Sequence, residues 1–176
     1  MKKLLVAAAM IFGLFTTASA QSKIGYINSD ELMGDMPEAA KADAELKQFQ
    51  TDLGKQGQDL MNELNTKDSL FVKDSTSYSP SIKEIKRNEL IKLYQRVQGW
   101  QNEAQELYQA EAQKKIVPIR NKALDAIKAV AKENGYGYVF DNAQGSLLIA
   151  PPGDDLLPLV KKNLGIAANA VPVKKN

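Results

Sequence analysis

The stretch Leu90-Ile-Lys-Leu93-Tyr-Gln-Arg-Val97-Gln-Gly-Trp100-Gln-Asn-Glu-Ala104-Gln-Glu-Leu107 decides the fold of this chain. Its apolar residues Leu90, Leu93, Val97, Trp100, Ala104 and Leu107 step by 3, 4, 3, 4 and 3. That alternation is one stripe along an α-helix, the a/d seam of a coiled coil. The flanks are mostly Gln, Glu, Lys and Asn. A stripe this narrow buries one neighbouring helix and does not enclose a globular core.

The neighbour lies upstream. Leu46, Phe49, Leu53, Gly57, Leu60, Leu64 and Phe71 recur mostly at intervals of 3 and 4, in a segment rich in helix-forming Ala, Leu, Gln, Glu and Lys. Between the two stripes lies Asp74-Ser-Thr-Ser-Tyr78-Ser-Pro80-Ser81, a run of turn residues. Two helices with one stripe each should fold back as an antiparallel coiled-coil hairpin. The arm is read as residues 38–133, with its tip at about 74–81. Pro118 is expected to kink or restart the second helix. The segment 118–133, with Ile119, Leu124, Ile127 and Val130, is expected to leave the arm and pack toward a compact body.

That body comes from the flanks. Lys23-Ile-Gly-Tyr-Ile-Asn28 reads as a strand, and Asn28, Ser29 and Asp30 offer N-cap chemistry for a short helix from Glu31 to about Met36. Pro37 suits the first position of the long helix. Downstream, Tyr136-Gly-Tyr-Val-Phe-Asp141 and Ser146-Leu-Leu-Ile-Ala150 read as a β-hairpin around Asn142–Gly145. Asp154 or Asp155 can cap a closing helix carrying Leu159, Val160 and Leu164, which Gly165 ends. The fold class is therefore α+β. A small β body, residues 21–37 and 134–168, carries the helical arm, and 169–176 form a flexible tail. Three short strands are too few for an independent core, so association of several copies is expected. Ile24, Tyr26, Tyr136, Tyr138 and Phe140 are the candidates for body core or subunit interface.

The first twenty residues read as an address. Met1-Lys2-Lys3, the apolar run Leu4 to Phe15, and Ala18-Ser-Ala20 are the three parts of a secretory signal peptide, cleaved after Ala20. The run is too short for a membrane span of about 20 residues. The expected location is the periplasm. The 176 residues contain no Cys and no His, which excludes disulfides, thiolate nucleophiles, imidazole metal sites and His-based triads. No enzyme activity and no cofactor are expected. The formal charge of +2 resides in Lys2 and Lys3, so the exported chain is neutral and no nucleic-acid partner is expected.

Two surfaces of the arm are candidates for binding. Met61, Leu70, Phe71, Val72 and Tyr78 lie near the tip, where Met and aromatic side chains adapt to varied partners. Phe71 can instead simply close the hairpin. Lys83, Lys86, Arg87, Lys92 and Arg96 outnumber Glu84 and Glu89, a local basic patch suited to acidic chains or to an anionic lipid or membrane surface. Its plainer reading is a solvated helix face. Trp100 is read as seam packing.

The order strand, short helix, long helical hairpin, β-hairpin and closing helix resembles the Skp/OmpH family of periplasmic chaperones. The resemblance runs from Lys23 to Leu164. It rests on Lys23-Ile-Gly-Tyr-Ile-Asn28, on Gly137-Tyr-Val-Phe-Asp141, and on Asp155-Leu-Leu-Pro-Leu-Val160-Lys-Lys-Asn-Leu164. It implies a trimeric, jellyfish-like assembly in which three arms enclose a cavity for unfolded outer-membrane proteins. It implies a holdase that works without ATP. The rival reading is a coiled-coil structural or adaptor protein of the cell envelope. The sequence departs from the family pattern in its neutral charge, its Ser-rich tip, and Leu157-Pro158 in place of a polar cap.

Overall fold

A computed structural model of the chain describes residues 22–167. The expected signal peptide at 1–20 and the tail at 169–176 lie outside the described residues. Strand β1 (Lys23–Ile27) leads into helix α1 (Ser29–Gly34), then α2 (Pro37–Asp74) and α3 (Pro80–Glu133). Strand β2 (Tyr136–Asp141) follows, then a 3-10 turn (Pro152–Asp154) and helix α4 (Leu157–Asn163).

Each junction has a local cause. Asn28 caps α1 by accepting from the Glu31 N–H at 3.0 Å. Pro37 and Pro80 open the two long helices, where a missing N–H costs nothing. Ser79 caps α3 by accepting from the Ile82 N–H. Gly135 and Gly165 take positive φ at the ends of α3 and α4, a conformation that disfavours side chains with a Cβ. α3 runs unbroken through Pro118, so the expected restart there does not occur. The exposed position of Pro118 and the packing on either side hold one continuous helix of 54 residues.

The sheet differs from the expected hairpin. β2 pairs in parallel with β1, from Lys23 opposite Tyr136 to Ile27 opposite Asp141. Ser146 to Ala150 is not a strand. The Asn142 side chain accepts from the Leu147 N–H at 3.0 Å, and Ser146 Oγ bonds to the Asp141 carbonyl, which turns the chain away from β2. The chain then crosses to the opposite edge of β1, where the Leu156 N–H donates to the Tyr26 carbonyl at 2.9 Å. Spanning that crossing keeps residues 146–150 off the free edge of β2.

Two apolar clusters hold the molecule. In the body, Ile27, Leu32, Met36, Leu156 and Val160 are essentially fully buried, together with Ala123, Ala126 and Val130 from the base of α3. In the arm, Leu53, Leu60, Leu93 and Trp100 form the centre, flanked by Phe49, Leu64, Val97, Ala104 and Tyr108. Leu107, expected on the seam, is 42% exposed, and Tyr108 takes its place. From Ala104 the inward positions run Tyr108, Ala112, Lys115, Ile119, Ala123, Ala126 and Val130. Those steps of 4, 4 and 3 follow an eleven-residue rhythm, whose stripe drifts around the helix in the opposite sense to that of the heptads above it.

Candidate functional site

The tip is built by its serines. Ser77 N–H and Oγ both donate to the Asp74 carbonyl, and Ser75 Oγ donates to Val72, so the last carbonyls of α2 are satisfied locally. This turn brings Phe71 and Tyr78 together, with ring centroids 6.4 Å apart and planes tilted by 38°. Both rings are half-buried. They line a hollow of about 230 Å³ with Leu70, Leu90, Lys67 and Lys86. Phe71 and Tyr78 thus close the hairpin and still present ring surface to the hollow. Met61, Leu70 and Val72 point outward, Val72 at 67% exposure.

The distal part of α3 adds residues that the sequence reading did not single out. Ile82, Ile85, Ile91 and Tyr94 are each roughly half exposed. The signal for them was present: they are the apolar residues left over once the Leu90–Ala104 seam is subtracted. The basic candidates surround them. Arg87, Lys92 and Arg96 are exposed, Lys83 is half-buried, and Lys86 pairs with Glu89 at 3.1 Å. Arg96 and, more strongly, Lys67 hold the Glu63 carboxyl below its ordinary value. The patch is therefore partly neutralised by neighbouring acids.

The middle of the arm is a lock between one large and one small residue. Trp100 lies over Gly57, and its indole N–H donates to the Leu53 carbonyl at 3.2 Å. A Cβ at Gly57 would come within 2.6 Å of the indole nitrogen. Glycine is required there because the ring occupies the side-chain volume. Toward the base, Lys115 reaches Glu45 at 2.6 Å and Lys122 bonds to Glu38, both across the two helices. These bonds hold the Glu38 and Glu45 carboxyls below their ordinary values and raise the Lys115 ammonium.

The body offers an open apolar face. Ile24 and Phe140 are half exposed, and Tyr138 is 62% exposed. These three face away from the chain's own core. Tyr26 and Tyr136 are half-buried; burial raises the Tyr26 phenol, and Asp155 and Asp154 add to the shift. The Tyr136 hydroxyl bonds to Asp154 at 3.3 Å, and Lys23 Nζ sits 3.8 Å above its ring. Leu148 and Ile149 are almost wholly exposed, at 97% and 92%. A cleft of about 800 Å³ opens between α1, α3 and β2, walled by Met33, Leu124, Ile127 and Val139. Asp141 sits at its rim. Burial opposes its charge, but bonds from Ser29 and the Ala143 N–H, with Arg120 nearby, bring its carboxyl below the ordinary value.

Among the described residues no cluster of acidic side chains could hold a metal ion, and no helix is long and apolar enough to cross a membrane. No curated protein matches this chain. The fold is shared with the crystal structure of a candidate outer membrane chaperone (OmpH-like) from Caulobacter crescentus CB15. The two are 16% identical, with a TM-score of 0.64 over 92% of this chain and 93% of that one. The family model for outer membrane protein (OmpH-like) matches residues 23–164. Spanning strand, arm, second strand and closing helix alike, that match places the chain in the OmpH-like family.

Proposed function

We propose that this chain is an ATP-independent holdase of the periplasm, which binds unfolded outer-membrane proteins and keeps them from aggregating. One observation carries the reading. The arm satisfies its own seam and still exposes Met61, Leu70, Val72, Ile82, Ile85, Ile91 and Tyr94 along its distal half. Such dispersed contacts are individually weak and additive, so an extended chain can be held without being folded. Family membership and the chaperone description of the structural neighbour support the same reading.

A homotrimer completes the proposal. Ile24, Tyr138, Phe140, Leu148 and Ile149 are the apolar residues that copies of the body would cover, since an exposed cluster of this kind marks an interaction surface. Three arms would then bound the client cavity. Arg87, Lys92 and Arg96 would attract acidic client segments or an anionic membrane surface at low salt.

The test is aggregation of a denatured β-barrel protein diluted into buffer with and without the purified chain. Suppression at near-stoichiometric ratio is expected, without nucleotide. Unchanged aggregation with the oligomer intact refutes the proposal. Capture of one folded partner, with no preference for unfolded chains, points instead to the envelope adaptor.

A further inference from the structure

We infer that the hollow beneath the tip is a vacated layer of the coiled coil, and that it takes one aromatic side chain from an extended peptide. The seam of α2 runs Leu46, Phe49, Leu53, Gly57, Leu60 and Leu64, and its next two positions are Lys67 and Phe71. The seam of α3, followed back from Leu93 through Leu90 by a further step of four, reaches Lys86. Both helices thus carry lysine where a heptad calls for an apolar knob, and the two lysines line one hollow. Neither fills the layer. Their side chains are 49% and 47% exposed, whereas Leu60 and Leu93 on the same seams stand at 6% and 8%. Each ammonium pairs with an acid of its own helix, Lys67 with Glu63 at 2.7 Å and Lys86 with Glu89 at 3.1 Å. The missing layer leaves about 230 Å³, walled by Leu70, Phe71 and Leu90, with Tyr78 at the tip end.

Size and chemistry select the occupant. An apolar cavity of about 150 Å³ already holds a benzene ring, so the hollow has room for one phenyl, phenol or indole group. Phe71 and Tyr78 are tilted by 38° and do not stack face to face, which leaves ring surface for a third ring. Lys67 and Lys86 complement the negative face of such a ring, which an aliphatic side chain lacks. Glu89 and the two lysines also offer an acceptor and donors to the peptide groups beside the inserted residue. The ion pairs around the hollow are half exposed and therefore weak, so they yield at little cost. A peptide anchored in this way is held by one residue and stays extended. That the residue belongs to an unfolded client rests on the holdase reading. The vacated layer and its selectivity rest on the arm alone.

The test needs no barrel protein, so its failure is distinct from failure of the aggregation assay. The purified protein, with labelled leucine methyls, is titrated with acetyl-Gly-Ser-Phe-Ser-Gly-amide and with the same peptide carrying Leu in place of Phe. The Phe peptide should shift the Leu70 and Leu90 methyls and bind about five- to tenfold more tightly than the Leu peptide. Lys67→Leu with Lys86→Leu fills the layer. It should raise the urea midpoint of the arm and weaken the Phe peptide by about tenfold or more. Tyr78→Ser opens the tip end without entering either seam, and should erase the preference for Phe while helical dichroism persists. Equal affinity for the two peptides overturns the proposal. So does Phe binding that the filled layer leaves unchanged. Shifts of Leu70 and Leu90 that track protein concentration without peptide assign the hollow to a second copy, and overturn it as well.

Discussion

Gly54 and Gly57 lie one turn apart on α2, and the same substitution should have opposite effects at the two. Gly54→Ala places a methyl in open space. Its effect is backbone entropy alone, a gain of about 0.5–1 kcal/mol in stability. Gly57→Ala gains the same entropy but puts its methyl 2.6 Å from the Trp100 indole nitrogen and 2.7 Å from Cδ1. The ring must move. That breaks the bond to the Leu53 carbonyl, worth about 1 kcal/mol, and adds about 1–3 kcal/mol of overpacking. Subtracting the propensity gain leaves a net loss of about 1–3.5 kcal/mol. Urea unfolding followed by circular dichroism at 222 nm measures both variants. Emission from Trp100, the one tryptophan, should shift to the red in Gly57→Ala and stay put in Gly54→Ala. Equal stabilisation by both substitutions, with unshifted emission, would refute the lock described for the arm.

Other outcomes follow from the same contacts. Lys161 bridges Glu31 at 3.1 Å and Asp35 at 2.6 Å, and the Asp35 carboxylate is almost fully buried. Lys161→Met leaves that acid without its partner and should cost about 2–3 kcal/mol, lowering the thermal midpoint by several degrees. The Glu38 and Glu45 carboxyls lie below their ordinary value of 4.5 when folded, so their pairs contribute above that pH and are lost as pH falls through the lower folded values. Lys115→Met with Lys122→Met should therefore flatten the acid limb of arm stability below about pH 5, read by denaturation at stepped pH. Tyr138→Ser with Phe140→Ser should shift the mass by light scattering toward the monomer while helical dichroism persists. An unchanged oligomer would place the interface elsewhere.

Much of the arm was legible because its information is periodic. Leu90, Leu93, Val97, Trp100 and Ala104 announce one face of one helix, and the Ser-rich Pro80 segment announces the fold-back. Legibility failed where periodicity gave way to competition. Leu107 and Tyr108 are both apolar neighbours, and only the twist of the packed pair decides that Tyr108 turns inward. The β-favouring run at 146–150 looked like a return strand, but Asn142 and the anchor at Leu156 commit the chain to the far edge of β1. Parallel pairing of β1 with β2 is a long-range fact with no local signature. Of the site, Leu70, Phe71, Val72 and Tyr78 were visible as tip residues. Ile82, Ile85, Ile91 and Tyr94 were not, because an apolar residue outside a stripe looks unremarkable until the stripe is known to be satisfied.

The pairing of β1 with β2 also sets an order of events during folding. Ser29 bonds to Asp141, 112 positions later, so the body cannot close until nearly the whole chain has emerged. Closing a random loop of that length is entropically costly, but a zipped arm brings its two ends side by side first. By loop-closure arithmetic the preformed arm spares about 2 kcal/mol relative to an unstructured connection. The first strand therefore waits, unpaired, while the hairpin behind it forms. A chain cut short within β2 would retain its arm and lose its foundation, so closure of the body itself becomes a check that synthesis was complete.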